Sequence, residues 1–305
     1  MVLQLLSELK ELIIRFYRKV VIMSDLSSIE PIHIEGVKDY HMHCDYSFDA
    51  SGTIEEYCES ALRRNLAEIC FTTHYDNNPN SDGRDRFIRI DGELQPTSID
   101  RLGRYVDDVH AAAEKYYVKG ISVKLGVEFG WYRGCEEEAL KLKEKYNFDY
   151  MLCGIHEIDN ISFCSKSDFE KCFADLSLEA MLKKYFMQVK EASDIKLFDT
   201  IAHFCYYYKY AKKYYGDAIE KAYEPYLDSV FTTLVKNGTE LEINTSGIRH
   251  GIERYYPNID IINKAKKAGV KIIHLGSDAH HPTQVGYEFE VAASMVPDTI
   301  TGCEE

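Results

Sequence analysis

Val37-Lys38-Asp39-Tyr40-His41-Met42-His43 decides how this chain is read, and Asp49 follows six residues after the second histidine. A short apolar run from Val37 ends in two histidines one residue apart. In an extended strand residues i and i+2 share a face, so His41 and His43 present two imidazoles in one direction. Two neutral imidazoles cannot enclose a divalent cation alone, so further ligands must come from elsewhere in the chain.

Working outward, the same pattern recurs. Apolar runs over 67–73, 121–127, 150–155 and 198–202 predict strands that end at His74, Glu128, His156 and His203. Two later runs, 239–243 and 270–276, lead into Asn244 and into Ser277-Asp278-Ala279-His280. Between them lie helical stripes. Thr53-Ile54-Glu55-Glu56 has the spacing of a capping box ahead of Ile54, Tyr57, Cys58, Ala61 and Leu62. Helices are likewise expected over 98–119, 136–146, 176–192, 218–236 and 259–268, with Gly238 and Gly269 as C-terminal caps. Seven strands, each followed by a helix, describe a wound α/β architecture of parallel strands.

In a closed parallel barrel the carboxyl ends of all strands meet on one rim, where reactive groups gather. The set converging there is His41, His43, Asp49, His74, Glu128, His156, His203, Asp278 and His280. Six imidazoles and three carboxylates exceed the capacity of one cation and suit two or three divalent metals, with Glu128 bridging a pair. Singly, His74, His156 and His203 would read as hydrogen-bonded structural histidines; the weight lies in their joint placement. His33, His110 and His274 have no such partners.

The chain has 305 residues, 45% hydrophobic, enough for one large domain, and its formal charge of -14 disfavours long nucleic acid as a partner. A small phosphorylated substrate stays compatible with that charge if metals or a few arginines reverse the field locally. Nine cysteines, odd in number and without CxxC spacing, sit mostly in apolar runs, which points to free thiols in a reducing, cytoplasmic compartment. Residues 1–36 read as an amphipathic helix and linker, because charges interrupt Leu3, Leu6, Leu9, Ile13 and Phe16; no membrane span or secretory signal is expected. Residues 37–305 read as one barrel domain. The polar stretch 75–96 is expected to be a long functional loop or lid, with Arg84, Arg86 and Arg89 on a solvated face, and Tyr206–Tyr210 a half-buried surface.

His41-Met42-His43, Thr73-His74, Gly126-Val127-Glu128, Gly154-Ile155-His156, Ala202-His203 and Ser277-Asp278-Ala279-His280 resemble, in order and spacing, the motifs of the polymerase and histidinol phosphatase (PHP) superfamily. The resemblance runs from residue 37 to about 290. It implies a distorted, TIM-like (β/α)7 barrel, the PHP fold, with an N-terminal helical extension and a trinuclear metal centre. By motif, one metal would take His41, His43, Glu128 and Asp278, and a second would share Glu128 and add His156 and His203. A third would take Asp49, His74 and His280. Some members have a histidine where this chain has Asp49, which leaves the third site's affinity and metal open. The ligand types accept Zn, Mn or Fe.

Asp49 and the stretch Glu242-Ile243-Asn244-Thr245-Ser246-Gly247-Ile248-Arg249 look most like the histidinol-phosphate phosphatases of that superfamily. The resemblance implies a phosphomonoesterase of histidine biosynthesis that forms L-histidinol and phosphate. Clustered cations would make hydroxide available between them, and Arg249 would hold phosphate. His250 is a further candidate substrate contact. The leaving-group acid stays open between a metal-bound water, Asp278 and His250. Two other readings compete: a phosphoesterase for another small ester or a nucleotide, and a metal-stabilised scaffold without catalysis. Missing ligands would favour the scaffold, and none is missing. A homo-oligomer is compatible with the sequence.

Overall fold

The computed structural model describes residues 36–81 and 83–293. The expected N-terminal helix and Cys303 lie outside the described residues. Among the described residues, seven strands make up the ring, in chain order: β1 Lys38–Asp39, β2 Glu68–Phe71, β3 Ser122–Gly130, β4 Tyr150–Gly154, β5 Thr200–Ile201, β6 and β7 Leu275–Gly276. Strand β6 has two pieces, Glu240–Leu241 and Ile243–Asn244, on either side of Glu242. All pairings among them are parallel. From β1 the ring runs through β2, β3, β4 and β5 to the first piece of β6, and in the other direction through β7 to its second piece. The broken sixth strand therefore closes the barrel. Its first piece pairs with β5 and its second with β7, and Glu242 stands between them.

Helices α1 Ile54–Arg63, α2 Leu102–Tyr117, α3 Glu136–Tyr146, α4 Leu178–Ile195, α5 Glu224–Asn237 and α6 Ile259–Ala268 alternate with the strands. The local chemistry fixes their ends. Thr53 Oγ1 accepts the Glu56 amide at 3.3 Å and Glu56 Oε2 accepts the Thr53 amide at 2.8 Å, completing the capping box. Ser177 and Asn258 accept amides three residues on, and Gly238 and Gly269 adopt φ of 74° and 89°, which only glycine takes without cost. The apolar sides of the helices face the odd-numbered positions of β2, such as Ile69 and Phe71, in one large core. Cys70, on the other face, packs with Tyr150, Leu152 and Ala202 in a separate small cluster.

Three expectations change. The stretch 75–96 is not structureless: it holds a helical turn, Arg84–Arg86, and an antiparallel hairpin, Phe87–Ile90 with Glu93–Pro96. Asp91 and Gly92 make its two-residue turn with φ of 50° and 85°. Nor do Arg86 and Arg89 face solvent freely. Arg89 donates to the carbonyls of Asp45, Phe48, Ser47 and Ala50, and Arg86 to that of Ser81, so the hairpin is fastened to the loop after β1. Strand β7 is also shorter than its apolar run. Leu241 and Ile243 donate to Lys271 and His274, a two-against-three spacing that takes Lys271–His274 out of the regular ladder.

Asp39 ties the ring together at the β1–β7 seam. Its buried carboxylate accepts the amides of Ser277 and Gly286, each at 2.9 Å, and that of His41 at 3.4 Å. Burial raises its pKa to about 6 against the opposing pull of these bonds. Replacing Asp39 by alanine takes the acceptor away from three buried amides. Asp39→Ala is expected to lose about 2–4 kcal/mol of stability in urea titrations at fixed metal concentration; a loss below about 1 kcal/mol would contradict this role for the carboxylate.

Candidate metal centre

Glu128 lies in mid-strand on β3, fully buried, with His74 paired beside it in parallel register. A buried carboxylate requires compensating partners, and the barrel supplies five imidazoles. Its Oε1 is 2.7 Å from His203 Nε2 and 3.2 Å from His156 Nε2. Its Oε2 is 2.9 Å from His74 Nδ1, 3.4 Å from His41 Nε2 and 3.5 Å from His43 Nε2. Asp278 Oδ1 approaches His43 Nε2 at 3.3 Å and His41 Nε2 at 3.7 Å. Asp49 reaches His280 Nε2 at 3.3 Å and His74 Nε2 at 3.8 Å. All nine side chains singled out from the sequence meet on one rim.

Three overlapping groups have donor atoms close enough to share an ion: His41, His43 and Glu128; Glu128, His156 and His203; and His43, His74 and His280. The first two coincide with the ligand sets implied by the resemblance, with Asp278 beside the first. The third differs in detail, because His43 joins His74 and His280 while Asp49 stands at its outer edge. The donor set fits divalent cations. Glu128 Oε2 and His74 Nδ1, buried and 2.9 Å apart, meet without hydrogen-bond geometry, a contact that a cation held between inward-facing donors would replace.

The imidazoles are aimed by oxygen atoms behind them. His41 Nδ1–H donates to Glu242, 3.0 Å from both carboxylate oxygens, and His156 Nδ1–H donates to Asp76 Oδ1 at 2.9 Å. His280 Nδ1–H donates to the Asp278 carbonyl at 2.9 Å, and His43 Nδ1 lies 3.3 Å from Ser47 Oγ. With Nδ1 so engaged, the lone pair is left on Nε2, which faces inward. Sequence reasoning missed Asp76, Glu242 and Ser47 as orienting groups. The available signal was spacing: Asp76 stands two residues past His74, and Glu242 two before Asn244.

The stretch Glu242–Arg249 serves the site from behind. Asn244 Nδ2 donates to Glu242, Asn244 Oδ1 accepts Ser246 Oγ–H, and Ser246 lies 3.1 Å from Asp278 Oδ2. Arg249 donates to the carbonyls of Ser277 at 2.9 Å and Asp278 at 2.6 Å, and it is not among the residues lining the cavity over the site. That clamp holds Asp278 at φ 51°, and His203 sits at φ 30°, both in a region that non-glycine residues avoid. His250 also lies outside the cavity lining; burial, reinforced by Lys209, lowers its pKa to about 3, so its ring is neutral.

Charge is balanced within the cluster. Burial opposes ionisation of Glu128 and Asp278, yet the surrounding imidazoles hold both well below the ordinary carboxylate range. Burial likewise opposes protonation of His41 and His156, but Glu242 and Asp76 respectively, with Glu128, raise them well above an ordinary imidazole. His43 moves the other way, through burial and its neighbours His74 and His280. Divalent cations would take over the compensation that these protons provide.

The rim opens into a polar cavity of about 620 Å³, large enough for a small organic phosphate. Asp49, His74, His156, His203, Asp278 and His280 line one part of it, and Lys209 also faces it. Lys209 Nζ donates to Tyr206 Oη at 2.8 Å.

Two glycines leave room for the cluster. A Cβ on Gly154 would overlap His156 Nε2 and stand 2.8 Å from Glu128 Oε1; one on Gly276 would overlap Glu242 Oε2 and stand 2.7 Å from His41 Cβ. Gly154→Ala is expected to lose bound metal, and Glu242→Gln to weaken metal affinity about 10–100-fold, read by elemental analysis and competition with a chelating dye. Full metal retention by Glu242→Gln at equal chelator concentration would refute the orienting role.

The PHP domain family model matches residues 39–246. Among curated proteins, the chain is 27% identical to a Deinococcus radiodurans protein named "Probable histidinol-phosphatase", over 86% of this chain and 94% of that one. It is 25% identical to the histidinol-phosphatase of Bacillus subtilis, over 83% of this chain and 97% of that one. Among solved structures, it resembles the histidinol phosphate phosphatase of Lactococcus lactis crystallised with Zn, L-histidinol and phosphate. The TM-score is 0.70 at 21% identity, covering 88% of this chain and 95% of that chain. With the family model spanning more than half of its length and the ring of strands matching in fold, the chain belongs to the PHP domain family.

Proposed function

We propose that this chain is a metal-dependent phosphomonoesterase that hydrolyses L-histidinol phosphate to L-histidinol and phosphate in histidine biosynthesis. The observation that carries the reading is the set of three overlapping histidine and carboxylate groups around Glu128, open to a polar cavity of about 620 Å³. The names of the curated relatives and the ligands of the Lactococcus lactis structure supply the substrate.

His41, His43, Glu128 and Asp278 would hold one metal, Glu128, His156 and His203 a second, and His74 and His280 with Asp49 or His43 a third. When bound, two or three Zn, Mn or Fe ions supply Lewis-acid charge that offsets the repulsion between a phosphate dianion and its nucleophile. The remaining work falls to the chain. Lys209, a cation in the cavity wall, meets phosphoryl oxygens and is steadied by the Tyr206 hydroxyl. Arg249, expected from the sequence to hold phosphate, spends two terminal nitrogens on the Ser277 and Asp278 carbonyls, which assigns it to positioning Asp278. A neutral His250 outside the cavity lining is poorly placed to protonate the leaving alcohol.

The formal charge of -14 supports a small substrate over long nucleic acid. No helix among the described residues is long and apolar enough to cross a membrane, and eight cysteines there are unpaired. These features support a cytoplasmic enzyme, and a homo-oligomer is compatible with them.

Phosphate release should vanish after chelation and return with Zn, Mn or Fe. Turnover of histidinol phosphate is expected to exceed that of nucleotides and sugar phosphates at least about tenfold in kcat/KM. Preference for another ester replaces the substrate, and no release from any ester with metal supplied overturns the enzyme reading. Lys209→Ala should lower kcat/KM about 10–100-fold with metal content unchanged.

A further inference from the structure

The cavity wall carries four aspartates beyond the candidate metal residues: Asp76, Asp85, Asp159 and Asp168. Three are engaged. Asp76 holds His156 at 2.9 Å, Asp159 pairs with Lys184 Nζ at 2.9 Å, and Asp168 accepts Ser167 Oγ–H at 3.0 Å. Asp85 has neither a hydrogen bond nor an ion pair to its carboxylate among the described residues. Burial, with the charge of Asp76 next, raises its pKa to about 7, as befits a carboxylate short of a positive partner.

Its position is not that of a loose loop. Asp85 sits in the turn Arg84–Arg86, and the flanking Arg86 and Arg89 fasten that segment to the Ser81 carbonyl and to four carbonyls of the loop after β1. It lines the same cavity as Asp49, His74 and His156, close enough for their charges to act on it. A metal-loaded rim suits an anion and this carboxylate a cation, so one cavity offers partners for a ligand with one charge of each sign.

We infer that Asp85 is the specificity residue that binds the protonated amine of an amino-alcohol phosphate while the candidate metal centre takes the phosphoryl group. This assignment rests on the phosphatase reading and names how that site tells its substrate from uncharged esters. A charge-assisted hydrogen bond from an ammonium group to a carboxylate in a partly dry cavity accounts for substantial discrimination, because an ester without the amine leaves the carboxylate uncompensated.

The test measures binding to the metal-loaded protein by calorimetry, using L-histidinol, its N-acetyl derivative and inorganic phosphate, on the unmodified chain and on Asp85→Asn. Histidinol affinity should fall at least about thirtyfold in Asp85→Asn while phosphate affinity stays within about threefold. N-acetylation, which removes the positive charge, should abolish the difference between the two proteins. Unchanged histidinol affinity in Asp85→Asn overturns the assignment, as does absence of histidinol binding to the unmodified chain. A difference that survives N-acetylation also overturns it, since the imidazole would then be the group recognised. Joint loss of histidinol, phosphate and bound metal overturns it in favour of a role in the metal centre. Release of phosphate from p-nitrophenyl phosphate is followed in parallel: its failure, with histidinol binding still dependent on Asp85, counts against the phosphatase reading and not against Asp85.

Discussion

A carboxylate buried at the centre of a parallel barrel is the constraint around which this molecule is arranged. Glu128 has no access to solvent, and an ionised group there is tolerated only with close positive or donor partners on several sides. The chain places four imidazoles from β1, the end of β2, the end of β4 and the end of β5 within 3.4 Å of its two oxygens. Each imidazole serves only if a ring nitrogen faces inward, to donate its N–H to the carboxylate or to hold a cation beside it. Glu242, Asp76 and Ser47 behind the rings set that direction for three of the histidines, so the site is an inner ring of donors held by an outer ring of acceptors.

This layering explains what the amino-acid order discloses. Most inner donors follow strand ends, and Glu128, though inside β3, also stands where an apolar run meets a charged residue, which is why His74, Glu128, His156 and His203 are legible in the sequence. The outer acceptors follow no such rule. Asp76 resembles any aspartate in a polar loop, and its bond to His156 spans 80 residues of chain. Arg249 was legible as important but not for its task, since nothing local distinguishes a guanidinium meant for phosphate from one clamping main-chain carbonyls. The hairpin after β2 was within reach: Asp91-Gly92 between Phe87–Ile90 and Glu93–Pro96 is a strong two-residue turn signal that the polarity of the stretch obscured.

The same view gives the small residues at the rim a reason. Gly154 and Gly276 stand where any side chain would intrude on His156 or Glu242, so the barrel mouth is packed by functional groups and not by hydrophobes. Further down, Cys70, Tyr150, Leu152 and Ala202 fill the interior in the ordinary way. Strained backbone is likewise found at the rim, at His203 and Asp278, where neighbouring elements hold the chain in place.

The sixth strand has a temporal implication. Its two pieces close the ring against β5 and β7, and the residue between them is the one that aims His41, some 201 positions earlier in the chain. A ribosome would therefore release the first histidines long before their supporting carboxylate exists. The nascent chain must hold β1 in readiness until the last quarter of the protein is made, and assembly of the ring and capture of the ions become a single late event. Such long-range closure makes for slow maturation, in which supply of the ion helps to decide how much of the newly made protein reaches its working form.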